Sequence, residues 1–468
     1  MGRKKKLPLL EDLEITDVAA EGKSIARVDN MVVFVPGLVP GDIADVQIAR
    51  KRKKYMEGFV VRLKKESEIR ITPFCKHFGT CGGCKWQQLP YEKQLHYKEK
   101  QVADNLQRIG KTELSDIRPI LGSSIQQRYR NKLEFTFSAS RWLTQEEIAS
   151  ENEIEDRRAL GFHIPGKFDR VMNIDTCYLQ DERSDRIRNF IKEYTLENGY
   201  TYYHQRENKG LMRNLIIRNT GTDEWMVVMV FGENDTTRIV PLMNHIQDRF
   251  SFITSLNYVI NPKLNDTIHD LEIITYHGKD HILEVMDGLK FRIGPKSFFQ
   301  TNSLQALLLY RTVLDFAELS GPETVYDLYT GTGTIAAFLA RKAGKVIGIE
   351  YVEEAVADAR TNIALNGLTN ASFRAGDLRE VLSEQFMAEY GRPDVIVTDP
   401  PRTGMHAEVV KNLLRAAPEK IVYVSCNPAT QARDIHLLSA AYRITAIQPV
   451  DMFPHTHHVE NVVRLDRR

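Results

Sequence analysis

At 468 residues, with 42% hydrophobic and 27% charged residues and a formal net charge of +1, the chain has the balance of an ordinary folded protein. The near-zero charge excludes a polycation that holds nucleic acid by bulk electrostatics, and the length exceeds what one hydrophobic core organises, so two or three domains are expected. No apolar run reaches a membrane span, the longest lying at Trp225–Phe231. The basic start Arg3-Lys4-Lys5-Lys6 is followed by Leu7-Pro8-Leu9-Leu10-Glu11-Asp12, too short an apolar stretch for a signal peptide, so a cytoplasmic protein is expected.

In chain order, residues 15–65 contain short β-prone runs at Ser24–Val28, Met31–Val35, 44–48 and 58–63, punctuated by Pro36-Gly37 and Pro40-Gly41-Asp42. This spacing predicts a small barrel. Arg50-Lys51-Arg52-Lys53-Lys54-Tyr55, followed by Arg62, Lys64 and Lys65, gives it a local positive surface suited to phosphates, a solvated loop being the bland alternative. The strand pattern and Val39-Pro40-Gly41-Asp42 resemble the TRAM domain, an OB-like RNA-binding barrel of RNA-modifying enzymes. The resemblance implies a first domain at 8–66 and an RNA partner.

Five cysteines in a chain expected to be cytoplasmic read as ligands or reactive groups rather than disulfides. Cys75-x5-Cys81-Gly82-Gly83-Cys84 puts three thiols on one short loop. A fourth ligand must come from afar, and Cys177 is the cysteine left once Cys426 is set aside for chemistry, with His77 as the other candidate. Four thiolates hold zinc or a [4Fe-4S] cluster, and spacing does not decide between them. A charged helix is predicted at 91–109, then a mixed β-rich region to about 277. Within it, residues 128–137 alternate basic and aromatic side chains at period two, predicting a strand with one face to pack and one to meet RNA. The acidic stretch 146–158 reads as an exposed insertion, and the expected central domain covers 67–281.

From 282 onward, strand and helix signals alternate, which predicts a parallel α/β sheet in a third domain at 282–468. Thr324–Leu328 reads as a strand, Gly331-Thr332-Gly333-Thr334 as a tight loop into a helix, and Lys345–Glu350 as the next strand, closed by an acid placed to hold ribose hydroxyls. Asp377 is placed to accept from an adenine amino group, and Asp399 closes a further strand at 394–398. Together these acids point to S-adenosylmethionine rather than NAD, whose longer glycine fingerprint is incomplete here.

Asp399-Pro400-Pro401-Arg402 is followed by an apolar run ending in Ser425-Cys426-Asn427-Pro428, and then by His455-Thr456-His457-His458-Val459-Glu460. C5 of uracil is a weak nucleophile. A thiolate adding at C6 turns C5 into an enolate-like carbon, and a base must afterwards remove the C5 proton. Cys426 and Glu460 suit these two tasks. A packing cysteine and a surface carboxylate are the bland alternatives.

Asp399-Pro400-Pro401-Arg402-x-Gly404, Ser425-Cys426-Asn427-Pro428 and Phe453-Pro454-His455-Thr456-x-His458-x-Glu460 resemble the RNA uracil-5-methyltransferase family over nearly the whole chain. The barrel and the four-cysteine set resemble its 23S ribosomal RNA branch. The resemblance implies a Rossmann-like S-adenosylmethionine-dependent catalytic domain and a [4Fe-4S] cluster on Cys75, Cys81, Cys84 and Cys177. It also implies Cys426 as nucleophile, Glu460 as proton acceptor, and methyl-donor contacts at Gln300, Tyr329, Thr334, Glu350, Asp377 and Asp399. Asp399 could face either the cofactor or the uracil, and Arg402 is expected to be structural or RNA-facing. The chain is expected to act as a monomer. Rival readings are the same chemistry on a tRNA uridine, an amino-group methyltransferase with a structural Cys426, and an iron-sulfur RNA-binding sensor.

Overall fold

The computed structural model describes residues 7–113, 117–150 and 156–468, so the basic start and part of the acidic stretch 146–158 lie outside the described residues. Residues 9–65 form a six-stranded sheet in the order Leu9–Glu14, Ile43–Lys51, Tyr55–Lys65, Met31–Val35, Ser24–Val28, Asp17–Val18. Its two edge strands are consecutive in the chain, separated only by Ile15 and Thr16, which brings the edges together at that end. Leu13, Ala26, Val33, Val35, Ala44 and Val46 fill the interior. Arg50 to Lys54 and Arg62 are exposed on the hairpin that also exposes Phe59 and Val61. The Pro-Gly-Asp turn has a structural explanation: buried Asp42 accepts from Val39 N at 2.7 Å, Ser67 N at 2.9 Å and the Arg70 guanidinium, tying this sheet to the segment that follows.

The middle of the chain builds a seven-stranded sheet in the order Ile274–Gly278, Ile253–Ile260, Trp225–Phe231, Met212–Asn219, Lys132–Ser138, Ala159–His163, Val171–Asn173. Every residue of Trp225–Phe231 is buried because both faces are covered. Trp225, Val227, Met229 and Phe231 share a core with Ile187 and Ile191 of Glu182–Glu197 and Ile239 and Leu242 of Thr236–Arg249. Met226, Val228 and Val230 share another with Phe291, Phe299 and Phe338. The strand expected from 128 begins only at Lys132: Arg128 has φ 56°, a left-handed conformation that turns the chain away from the sheet. Leu133, Phe135 and Phe137 then face the core as the alternation requires.

The last third holds seven strands, β1 (Thr324–Leu328), β2 (Lys345–Glu350), β3 (Ala371–Ala375), β4 (Val395–Thr398), β5 (Lys420–Ser425), β6 (Tyr442–Val450) and β7 (Glu460–Arg467), in the order β3-β2-β1-β4-β5-β7-β6. The β1, β2, β3, β4 and β5 pairings are parallel, and β7 inserts antiparallel to both β5 and β6. Tyr91–Arg108 (α1) joins this sheet rather than the middle one: Val102 and Leu106 pack with Ile435, Leu438 and Ile447. The chain then stays with the sheet through bridges of Ile117 to Ile447 and Leu121 to Val450. Ser303–Ala317 (α2) contributes to the opposite face, where Leu309, Tyr310 and Val313 are buried. Among the described residues no helix is long and apolar enough to cross a membrane.

Candidate active site

Beyond the carboxyl end of β1 the chain passes through Tyr329, Gly331 and Gly333 with φ of 62°, 55° and 76°. A Cβ at Gly333 would lie 2.9 Å from Ala359 Cβ, so glycine there lets two helices approach, whereas at Gly331 it would meet nothing within 4 Å and the loop's outer side is clear. Glu350, at the end of β2, ties this turn down: one oxygen accepts from Gly331 N at 3.1 Å, the other from Tyr351 N at 2.9 Å and Val352 N at 3.0 Å. Thr334 opens the helix Thr334–Ala340 behind the glycines. The carbonyl of Gln300 accepts from Asn131 Nδ2 at 2.9 Å, anchoring the Gln300 segment to the middle sheet.

Asp377 caps Leu378–Val381 through Arg379 N at 2.9 Å. The Arg379 guanidinium beside it holds its carboxyl down to about 2. A cavity of about 710 Å³ lies alongside, lined by Tyr329, Tyr351, Asp377, Leu378, Met405 and Leu437, a volume in the range of small-molecule sites. Tyr329, Thr334, Glu350 and Asp377 follow or close β1, β2 and β3 at their carboxyl ends, where open α/β sheets bind ligands, while Gln300 lies just before α2.

Cys426 and Glu460 meet at that same edge through strand register. The last rung of the β5–β7 ladder pairs Ser425 with Asn461. Cys426 leaves β5 just beyond that rung and Glu460 enters β7 just before it, so the two are opposed. Asp399, one residue past β4, completes the group. Burial pushes the Glu460 carboxyl up to about 8, with Asp399 adding to it and Arg402 opposing. Burial alone pushes Asp399 up to about 7. The Cys426 thiol is pushed up to about 11 by burial, then by Glu460 and Asp399, while Arg402 pulls it down. Asn427 caps Pro428–Leu438 through Ala429 N at 3.1 Å, which sets the thiol just outside a helix amino terminus where a thiolate is favoured. The Arg402 carbonyl accepts from Asn427 Nδ2 at 2.9 Å, and its guanidinium lies 3.5 Å from His458 Nδ1.

Sequence reasoning does not single out Tyr310, which is buried on α2, with its hydroxyl raised by burial and by the nearby Asp399, Asp327 and Glu460. At its place in an apolar helical stripe it reads as core, and its only signal is an oxygen where an aliphatic residue would pack.

Cys75, Cys81, Cys84 and Cys177 line one cavity of about 200 Å³, together with His77. Burial pushes the Cys84 thiol up to about 12 and Cys177 up to about 11; Cys81, Cys177 and Cys75 add to the first shift and Cys81 to the second. Gly82 is required on this loop: with φ 71°, a Cβ there would lie 2.2 Å from Pro165 Cγ. Cys177 is fixed from three sides, its N donating to Asp185 at 2.9 Å, its carbonyl accepting from Arg128 at 2.6 Å, and buried Arg188 holding the Ile174 and Asp175 carbonyls. Among the described residues, no three His, Cys, Asp or Glu side chains stand close enough together to hold a single metal ion.

Residues 278–468 match the family model described as tRNA (Uracil-5-)-methyltransferase, and residues 11–61 match the TRAM domain. An "Uncharacterized RNA methyltransferase" of Bacteroides thetaiotaomicron is 55% identical over 96% of this chain and 100% of its own length. A protein described in the same words from Chlorobaculum tepidum is 41% identical over 97% of this chain and 96% of its own. The crystal structure of Pyrococcus abyssi tRNA (uracil-54, C5)-methyltransferase in complex with S-adenosyl-L-homocysteine superposes with a TM-score of 0.74 at 29% identity, covering 97% of this chain and 99% of that one.

Proposed function

The chain belongs to the S-adenosylmethionine-dependent RNA uracil-5-methyltransferase family and carries a TRAM domain, and on that premise we propose that it methylates C5 of a uridine in 23S ribosomal RNA, as a monomer, in the cytoplasm. The observation that carries the chemistry is the opposition of Cys426 and Glu460 across the end of the β5–β7 ladder. The target base is expected to leave its RNA stack to reach this edge. Cys426 loses its proton to solvent and adds as the thiolate to C6, and the electron pair displaced from the C5–C6 double bond moves toward O4. S-adenosylmethionine supplies the methyl group that C5 then takes. Glu460 removes the C5 proton, the double bond re-forms and Cys426 departs as the thiolate; the proton then leaves Glu460 for the thiolate or for solvent, and the starting enzyme returns. Asp399 and Tyr310 form the buried surroundings of this step, and Arg402 favours the thiolate.

The ribosomal target is supported by the barrel together with the four-thiol loop. A tRNA target is the second reading, favoured by the likeness to the archaeal tRNA enzyme over nearly the full chain. Mapping 5-methyluridine in both RNAs from cells lacking this protein tests the proposal: loss of one 23S residue supports it, and loss confined to tRNA transfers the same chemistry to the second reading. A methyl group found on an exocyclic nitrogen instead would overturn it.

Glu460 serves as a base only when ionised. Because its folded value is raised to about 8, product release should accelerate about tenfold per pH unit from 6 to 8 and level off above. The Glu460→Gln variant should lose this slope. A release rate that is flat from pH 6 to 8 in the unaltered enzyme would argue against Glu460.

We propose further that Cys75, Cys81, Cys84 and Cys177 hold a [4Fe-4S] cluster. Four thiols line one cavity of about 200 Å³, which suits either a metal ion or a cluster, and the resemblance to the cluster-bearing branch of the family favours the cluster. The cluster would fix the Cys75 to Cys84 loop against the middle sheet, and no step of the methylation runs through it. Protein purified without oxygen should contain about four irons and four sulfides per chain and absorb in the visible, and Cys84→Ser should lose both signals. Stoichiometric zinc with no visible absorption would refute the cluster.

A further inference from the structure

Residues 451–459 connect β6 to β7 without regular structure and deliver Glu460. Five successive main-chain carbonyls of this connection are each taken by a donor outside it. Asp451 O accepts from Gln305 Nε2 at 2.7 Å, Met452 O from Asn302 Nδ2 at 2.9 Å and Phe453 O from Lys98 Nζ at 3.1 Å. Pro454 O accepts from the Tyr129 hydroxyl at 3.0 Å, and His455 O from Lys85 N at 2.8 Å and Trp86 N at 3.1 Å. Gln94 Oε1 accepts from His455 N at 2.8 Å, at a residue whose φ of 64° places the chain in a left-handed turn.

Loops usually satisfy their carbonyls with water or within themselves. Here the donors come from α1, α2, the cysteine loop and the start of the middle sheet. Lys98 is the most telling of them. Its ammonium is fully buried, and it reaches Asp451 Oδ1 at 2.5 Å as well as the Phe453 carbonyl. The other Asp451 oxygen accepts from the Tyr91 hydroxyl at 2.7 Å. A buried ion pair is a poor source of stability compared with apolar residues of the same volume, and its best-attested use is to fix one arrangement among several.

We propose that Lys98, assisted by Gln94 and Tyr129, is a positioning residue for the carboxylate of Glu460. This rests on the reading of Glu460 as proton acceptor. The rung Val450–Glu460 is the last before the connection, and a terminal rung frays unless the chain beyond it is held. Cys426 hangs from β5 and from the cap of Pro428–Leu438, neither of which Lys98 bonds. The device therefore acts on proton removal and release, and addition of the thiol is left intact.

The test is single turnover of an RNA that the unaltered enzyme methylates, with labelled methyl donor. Covalent protein–RNA adduct is followed on denaturing gels and free methylated RNA in parallel. In Lys98→Met, adduct should form within about threefold of the normal rate while release slows about tenfold to a hundredfold, the loss that a displacement of about 1 Å produces. In Lys98→Met with Asp451→Asn, no charge is left unpaired, so thermal stability should recover while release stays slow. Tyr129→Phe, which removes one hydroxyl and keeps the ring, should show the same split more weakly, and it stands as the test if the lysine variants do not fold. Equal loss of addition and release, or release recovering together with stability, overturns the proposal. Glu460→Gln run alongside separates the two readings: if it accumulates adduct and the Lys98 and Tyr129 variants do not, only the positioning role falls. If Glu460→Gln accumulates none, the base assignment fails and takes the positioning role with it.

Discussion

Cys426→Ala is expected to abolish turnover, by a factor on the order of 10⁴ or more, the scale on which removal of a covalent nucleophile acts. The free thiol is held up at about 11 by burial and by the two carboxyls beside it, so at neutral pH it is a thiol until something removes its proton. Arg402 and the helix that starts at Pro428 both favour the thiolate. Folding should be unaffected, because the residue is only half-buried and the substitution removes one sulfur. The check has two parts: multiple-turnover methylation, and trapping by RNA carrying 5-fluorouridine, whose C5 fluorine cannot leave as a proton. Both should vanish in the alanine variant while S-adenosylmethionine binding persists. Normal turnover by Cys426→Ala would refute nucleophilic addition and return the amino-group reading.

Glu460→Gln should divide the cycle. The amide matches the carboxyl in size, so the β5–β7 ladder keeps its register, but it takes no proton. Release is expected to slow by about 10² to 10⁴, the usual contribution of a positioned base. Addition should not suffer. Glu460 raises the Cys426 thiol through its charge, which it carries only above about pH 8, so a neutral amide leaves thiolate formation unchanged at neutral pH and eases it at higher pH. Ordinary uridine RNA should then accumulate as a methylated adduct that survives denaturation. Failure to accumulate it, with release as slow as addition, would show that Glu460 does something other than accept the C5 proton.

Parts of this site are legible in the sequence alone. A glycine-rich turn between a strand and a helix, and acids closing successive strands, follow from local periodicity and chain length: Gly331 and Gly333 lie between β1 and the helix Thr334–Ala340, and Glu350 closes β2. Three cysteines on one loop announce a shared purpose, and Cys177 does line the same cavity. The Cys426–Glu460 pair is not legible from spacing. It exists because β7 inserts between β5 and β6, a long-range choice that no local signal reports, so the chemistry of the two side chains and the family resemblance suggest their roles without showing their opposition. Asp377 is readable as an acid at a strand end, but not as one already engaged by Arg379 two residues on. Lys98 is hidden altogether. A lysine in a charged helix reads as solvated, and its burial depends on Asp451, more than three hundred residues away.

The placement of α1 on the carboxyl-terminal sheet also bears on how the chain is made. Val102 and Leu106 are synthesised early, yet their partners Ile435, Leu438 and Ile447 follow only after more than three hundred further residues. At about 5 to 20 residues per second that is an interval of roughly twenty to seventy seconds. Once Gly278 has been made the amino-terminal and middle sheets have all their strands, while an apolar helical stripe and the ammonium of Lys98 still wait beside them for a surface that has not emerged from the ribosome. The last strands to appear therefore complete two structures at once, and an interrupted chain would leave the early helix exposed as a target for chaperones and proteases.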